Sequence, residues 1–120
     1  MNIVEIDNLA GMEKLTKLQL DNNIITKIKG LDSLANLKWL DLSFNMITKI
    51  EGLDKCLSLT DLSLFKNRIT VLSGLENLKE LNVLSVGSNM IISLDNTVDY
   101  LKKLKNKLEV LRISDNAFQK

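Results

Sequence analysis

The stretch Leu37-Lys-Trp39-Leu40-Asp41-Leu42-Ser43-Phe44-Asn45 returns in altered form along the whole chain. Before it stands Leu15-Thr-Lys17-Leu18-Gln19-Leu20-Asp21-Asn-Asn23. After it come Leu59-Thr-Asp61-Leu62-Ser63-Leu64-Phe65-Lys-Asn67, Leu81-Asn-Val83-Leu84-Ser85-Val86-Gly87-Ser-Asn89 and Leu108-Glu-Val110-Leu111-Arg112-Ile113-Ser114-Asp-Asn116. The closing asparagines are 22 residues apart from Asn23 to Asn89, and the last interval is 27. In each phrase two apolar residues lie two apart, so both point to one side of a strand. The first leucine, three residues earlier, fills the interior where the chain turns into that strand. The side chains between them face the other way. The asparagine stands where the chain leaves the strand. Its amide both donates and accepts, so a column of amides can satisfy backbone groups that the bend leaves unpaired. Asn23, Asn45, Asn67, Asn89 and Asn116 are expected to form that buried ladder.

A second phrase fills the space between strands: Ile25-Thr-Lys-Ile28-Lys-Gly30-Leu31, Ile47-Thr-Lys-Ile50-Glu-Gly52-Leu53 and Ile69-Thr-Val-Leu72-Ser-Gly74-Leu75. Apolar residues then recur every third position, as in Ile28, Leu31, Leu34 and Leu37, a period that suits a 3₁₀ turn. The repeated glycine marks a bend or a positive φ. Taken together the two phrases resemble the leucine-rich repeat. The expected fold is α/β: a leucine-rich-repeat solenoid with a parallel sheet on its concave face and 3₁₀ or short helical turns on its convex face. One domain is expected over 1–120, with a partial repeat at 1–14 and repeats starting near 15, 37, 59, 81 and 108. Ile3, Ile6, Leu9 and Met12 keep the register at the start, with Asn8 in the glycine's place. Neither end carries the polar cap that a solenoid usually needs. The expectation is a segment of a longer protein, the alternative being a minimal array that pairs through its ends.

The long fourth unit changes period. Val98, Leu101, Leu104 and Leu108 mark one face of an α-helix. Asp95 or Asn96 is placed to cap its start, and Lys102, Lys103, Lys105 and Lys107 suit the dipole at its end. Those lysines read as a solvated helix face rather than as a basic ridge for an acidic partner.

Composition narrows the function. The 120 residues include 16 basic and 15 acidic side chains, a net charge of +1 that offers no broad footprint for nucleic acid. No apolar run reaches transmembrane length and no signal-peptide pattern opens the chain, so no membrane contact is expected. The one cysteine, Cys56, is expected to be a reduced, partly buried thiol. With no Asn-x-Ser/Thr acceptor either, an intracellular protein is expected. The chain has no histidine, no metal-ligand spacing and no glycine-rich phosphate loop. Neither an enzyme nor a cofactor, metal or small-molecule substrate is expected.

A binding surface is sought instead on the outward strand positions. These are Lys17, Gln19 and Asp21, then Trp39, Asp41 and Ser43, then Asp61, Ser63 and Phe65, with Val83, Ser85, Gly87, Val110, Arg112 and Ser114 beyond. Trp39 and Phe65 fall outside the core, where aromatics serve as interface anchors. The carboxylates of Asp21, Asp41 and Asp61 stand beside them, and Ser85 and Gly87 leave room for a shallow hollow. The expected partner segment carries an apolar anchor with basic flanks across the second and third strands. Phe44 is expected to pack at the turn.

The unit with Ile-x-x-Ile-x-Gly-Leu resembles the repeat class of the type 1 phosphatase regulator, the outer-arm dynein light chain and the spliceosomal U2 A-prime protein. More narrowly, Leu40-Asp-Leu-Ser-Phe-Asn45-Met-Ile47, Ile50-Glu-Gly-Leu53-Asp and Asp61-Leu-Ser-Leu-Phe65-Lys-Asn67-Arg-Ile69 are similar to one family. That family is the leucine-rich-repeat (third) subunit of the nexin-dynein regulatory complex of motile cilia and flagella. The resemblance implies a scaffold in the axonemal cytoskeleton whose partners are other regulatory-complex or dynein proteins. The family's long coiled-coil regions have no counterpart here, and it supplies no catalytic residue. Two alternatives stand beside it: a regulatory or targeting subunit of protein phosphatase 1, and an assembly subunit of a spliceosomal RNA particle. Few aromatic platforms and the weak charge count against direct RNA contact.

Overall fold

The computed structural model describes residues 2–118. Five three-residue strands form one parallel sheet in chain order: β1 (Lys17–Gln19), β2 (Trp39–Asp41), β3 (Asp61–Ser63), β4 (Val83–Ser85) and β5 (Val110–Arg112). The register is strict, with Leu18, Leu40, Leu62, Leu84 and Leu111 opposite one another. Cross-strand bonding runs on past the strands: Leu42 N–H donates to the Ser63 carbonyl at 2.9 Å and Phe44 N–H to the Phe65 carbonyl at 2.9 Å. Parallel sheets usually need cover on both faces. Here the alternation of leucine with polar residues lets one face pack while the other stays open.

The packed face meets a core of columns. Ile25, Ile47 and Ile69 stack in one; Leu31, Leu53 and Leu75 in another; Leu37, Leu59 and Leu81 in a third, all fully buried. A buried aliphatic side chain contributes about 1.5–3 kcal/mol. The core therefore grows coil by coil rather than around one centre.

The convex side is made of single i→i+3 turns, as expected, and they do not join into a continuous helix. Leu34 N–H bonds the Leu31 carbonyl at 3.0 Å and Leu37 N–H bonds that of Leu34 at 3.2 Å; Cys56 and Leu59, then Leu78 and Leu81, repeat the pair. The N–H groups between them make no equivalent bond among the described residues, so this is not a 3₁₀ helix. Two single turns share a buried corner residue (Leu34, Cys56 or Leu78), and that alone produces the three-residue period. The glycine reading holds: Gly30, Gly52 and Gly74 have φ of 76°, 72° and 71°. A Cβ on Gly52 or Gly74 would run into the carbonyl of Ile28 or Ile50 in the coil below.

The helix α1 spans Leu94–Lys103. Its cap is Ser93, not Asp95 or Asn96: the Ser93 hydroxyl accepts from Asn96 N–H at 3.1 Å. Thr97 is its buried residue, while Val98 is exposed and Leu108 lies beyond its end. Thr97 takes the buried place expected of Val98, its hydroxyl donating to the Ser93 carbonyl at 2.7 Å, while Leu101, Leu104 and Leu108 pack against the core as expected. Tyr100 docks the helix. Its hydroxyl accepts from Leu75 N–H at 3.0 Å and donates to Glu76 Oε1 at 2.6 Å.

Candidate binding surface

The ladder holds the open face in shape. Asn45 Oδ1 accepts from Ile25 N–H at 3.0 Å, and its Nδ2 donates to the carbonyls of Leu20 and Leu42, each at 3.0 Å. Asn67, Asn89 and Asn116 repeat this geometry with Ile47, Ile69 and Ile91 as donors. Asn23 accepts from Ile3 N–H at 2.9 Å. Asn116 is only partly buried, unlike the other four. The residue before each ladder asparagine takes a left-handed conformation: Asn22, Phe44, Lys66, Ser88 and Asp115 all have φ between 52° and 59°.

Three rows cross the sheet. The first aligns Lys17, Trp39, Asp61, Val83 and Val110; the second aligns Gln19, Asp41, Ser63, Ser85 and Arg112. The third continues through Asp21, Ser43, Phe65, Gly87 and Ser114, where Lys66 N–H bonds the Gly87 carbonyl at 3.0 Å and Ser88 N–H that of Ser114 at 2.9 Å. Trp39 is half-buried, with Lys17 Nζ 5.0 Å from its ring centroid. Trp39, Asp61, Phe65, Val83 and Arg112 line one open groove of about 960 Å³.

Several of these groups are already engaged. Ser43 faces the groove but is covered by its neighbours, its hydroxyl 2.6 Å from both Asp41 Oδ1 and Ser63 Oγ. Asp61 Oδ1 accepts from the Thr60 hydroxyl at 2.8 Å and Asp21 Oδ2 from the Asn22 amide at 2.9 Å. Each carboxylate is thereby aimed, with acceptor capacity left over. The hollow expected at Gly87 is partly filled, since a Cβ there would lie 3.3 Å from the Phe65 ring. Phe44 meets Phe65 edge-on at 5.6 Å between centroids, yet it stays 44% exposed. It both packs at the turn and extends the aromatic strip over the rim.

The sequence model for leucine-rich repeats (two copies) matches residues 35–77. An internalin (inlF) of Listeria monocytogenes is 28% identical, with a TM-score of 0.80 over 99% of this chain and 34% of its own. Internalin C2 (inlC2) of the same organism is 28% identical, with a TM-score of 0.77 over 93% and 47%. The fold is a leucine-rich-repeat solenoid. The functional domain of InlJ, which includes a cysteine ladder, shares the fold at 24% identity, with a TM-score of 0.75 over 95% of this chain and 23% of its own. The chain thus spans between 23% and 47% of the length of these three solved structures. No curated protein gives a significant match.

This solenoid has asparagines at its turns and one cysteine. Cys56 is a buried corner whose thiol lies 3.7 Å from the Leu31 carbonyl. Burial first, and the charge of Asp32 second, push that thiol up to about 11. Among the described residues no cluster of His, Cys, Asp or Glu could hold a metal ion, and no helix is long and apolar enough to cross a membrane. Stacked-repeat solenoids of this kind generally serve as protein-interaction scaffolds.

Proposed function

We propose that the concave sheet of this scaffold grips a partner segment with an apolar anchor and basic flanks. The observation that carries the reading is the groove where Trp39, Phe65 and Val83 adjoin Asp61, left uncovered by the described chain. Rigid aromatics beside aimed carboxylates are the chemistry of interface hot spots. Asp41 and Asp61 receive the partner's basic side chains, and its apolar anchor sits between Trp39 and Phe65. The phrases at 40–53 and 61–69 support a finer reading. On it the scaffold is the leucine-rich-repeat subunit of the nexin-dynein regulatory complex, working in the axoneme with dynein-regulating partners.

The test is an affinity pull-down from matched axonemal and cytosolic extracts, read by mass spectrometry, with the Trp39→Ala/Phe65→Ala variant alongside. Both side chains lie on the open face, so the variant is expected to lose less than about 1.5 kcal/mol of stability. Its partner binding is expected to weaken by at least ~2 kcal/mol. Regulatory-complex or dynein proteins recovered by the wild type alone support both readings. A phosphatase catalytic subunit in their place moves the assignment to phosphatase targeting. Equal recovery by both proteins removes the concave site.

A further inference from the structure

The flank just past the ladder has a composition unlike the rest of the molecule. It is built from residues 22–27, 44–49, 66–71 and 88–92, which follow the asparagine turn in successive coils. These stretches contain Lys27, Lys49, Lys66 and Arg68 and no Asp or Glu. The remainder of the chain is net negative in consequence. None of the four cations forms an ion pair among the described residues. Amid them stand exposed apolar side chains: Ile24, Phe44, Val71, Ile92 and, 52% exposed, Met90. Apolar groups mixed with single-sign charge on one face mark an interaction surface.

Two details make this flank a built surface. Ile24, Met46, Arg68 and Met90 occupy one column, each N–H bonded to the coil before: Met46 to the Ile25 carbonyl at 2.9 Å, Arg68 to Ile47 and Met90 to Ile69 at 2.8 Å. Phe44, at φ 56°, holds a left-handed conformation that suits glycine or asparagine, and it presents its ring to solvent with Lys66 Nζ 5.9 Å away.

We infer that this flank is a second docking surface, for an acidic amphipathic helix of a protein partner. Coils stack about 4.8 Å apart, close to the ~5.4 Å pitch of an α-helix. A helix lying across them therefore offers one side chain per turn to each coil. The column dictates the order: apolar against Ile24, apolar against Met46, a carboxylate against Arg68, apolar against Met90. Lys66 and Lys49 draw further acidic residues to the helix edges. An anionic bilayer fits less well, because inserting Met46 and Met90 would drag the guanidinium of Arg68 into hydrocarbon.

The test is selection of helical 16-residue peptides from a random display library on the intact chain. Binding is then compared on Lys66→Glu/Arg68→Glu, on Met90→Ser, and on the Trp39→Ala/Phe65→Ala variant, each checked for an unchanged melting temperature. Flank binders are expected to carry Asp or Glu one turn from apolar residues. They are expected to bind the charge-reversed variant at least tenfold more weakly, and to ignore the concave variant. Binders indifferent to the reversal, binders lost only with Trp39 and Phe65, or no acidic binders at all would overturn the inference. Binding to vesicles of anionic phospholipid without any acidic peptide would overturn it in favour of a membrane. The concave reading survives each flank failure, since its own variant reports on it separately.

Discussion

Asn67 bonds two neighbouring coils at one point: it accepts from Ile47 N–H at 2.9 Å and donates to the carbonyls of Leu42 and Leu64 at 3.0 and 3.1 Å. Asn67→Leu keeps the volume and leaves the Ile47 N–H without its acceptor in the interior, while the Leu42 and Leu64 carbonyls keep bonds from Asn45 and Asn89. The expected cost is about 1–3 kcal/mol, seen as a lower urea midpoint with an unchanged slope. Cys56 gives a second check at this scale. With its thiol buried and shifted up to about 11, alkylation at pH 8 is expected to be slow in the native protein and complete after denaturant is added. The ladder positions could be read from sequence because an amide at a fixed interval has a chemistry that explains itself. The left-handed residue before each could not. Asn22, Phe44, Lys66, Ser88 and Asp115 share no side-chain property, and their backbone conformation is imposed by the coil.

Each short strand has one buried or half-buried leucine flanked by outward residues, so alternation alone placed Trp39, Asp61 and Val110 in one row. The convex turns and the helix were harder to read. Paired single turns and a 3₁₀ helix share a period of three, and several polar residues near 93–96 could cap a helix. Only the Ser93–Asn96 bond selects between them. The helix is fastened through Tyr100, whose hydroxyl bond holds the Glu76 carboxyl below its usual range. Burial first, and that same bond second, raise the Tyr100 phenol above its own. The signs follow. The Glu76 contribution is present above the ordinary carboxylate pKa and is lost as pH falls through the depressed one. The Tyr100 contribution is present below the ordinary phenol pKa and is lost as pH rises through the raised one. Tyr100→Phe is expected to lower stability by about 1 kcal/mol near neutral pH. It should also flatten both limbs of the stability–pH profile, measured by thermal unfolding from acid to alkaline buffers.

Across the whole molecule, the solenoid was legible because every coil repeats one set of instructions. The flank beyond the ladder was not, because Ile24, Met46, Arg68 and Met90 become neighbours only after the coils stack. The ladder also has a mechanical consequence. Its bonds, like those of the sheet, join each coil only to the next, and no bond clamps the first coil to the last among the described residues. Pulled by its two ends, such a chain yields as a ratchet rather than as a single rupture. Each coil of 22 residues should release about 75 Å of slack when it lets go. An optical-trap trace is expected to show a staircase of such steps, and an Asn67→Leu chain should give way first at the middle of the stack. A scaffold strung between two moving bodies would then stretch under load and rewind when the load is removed.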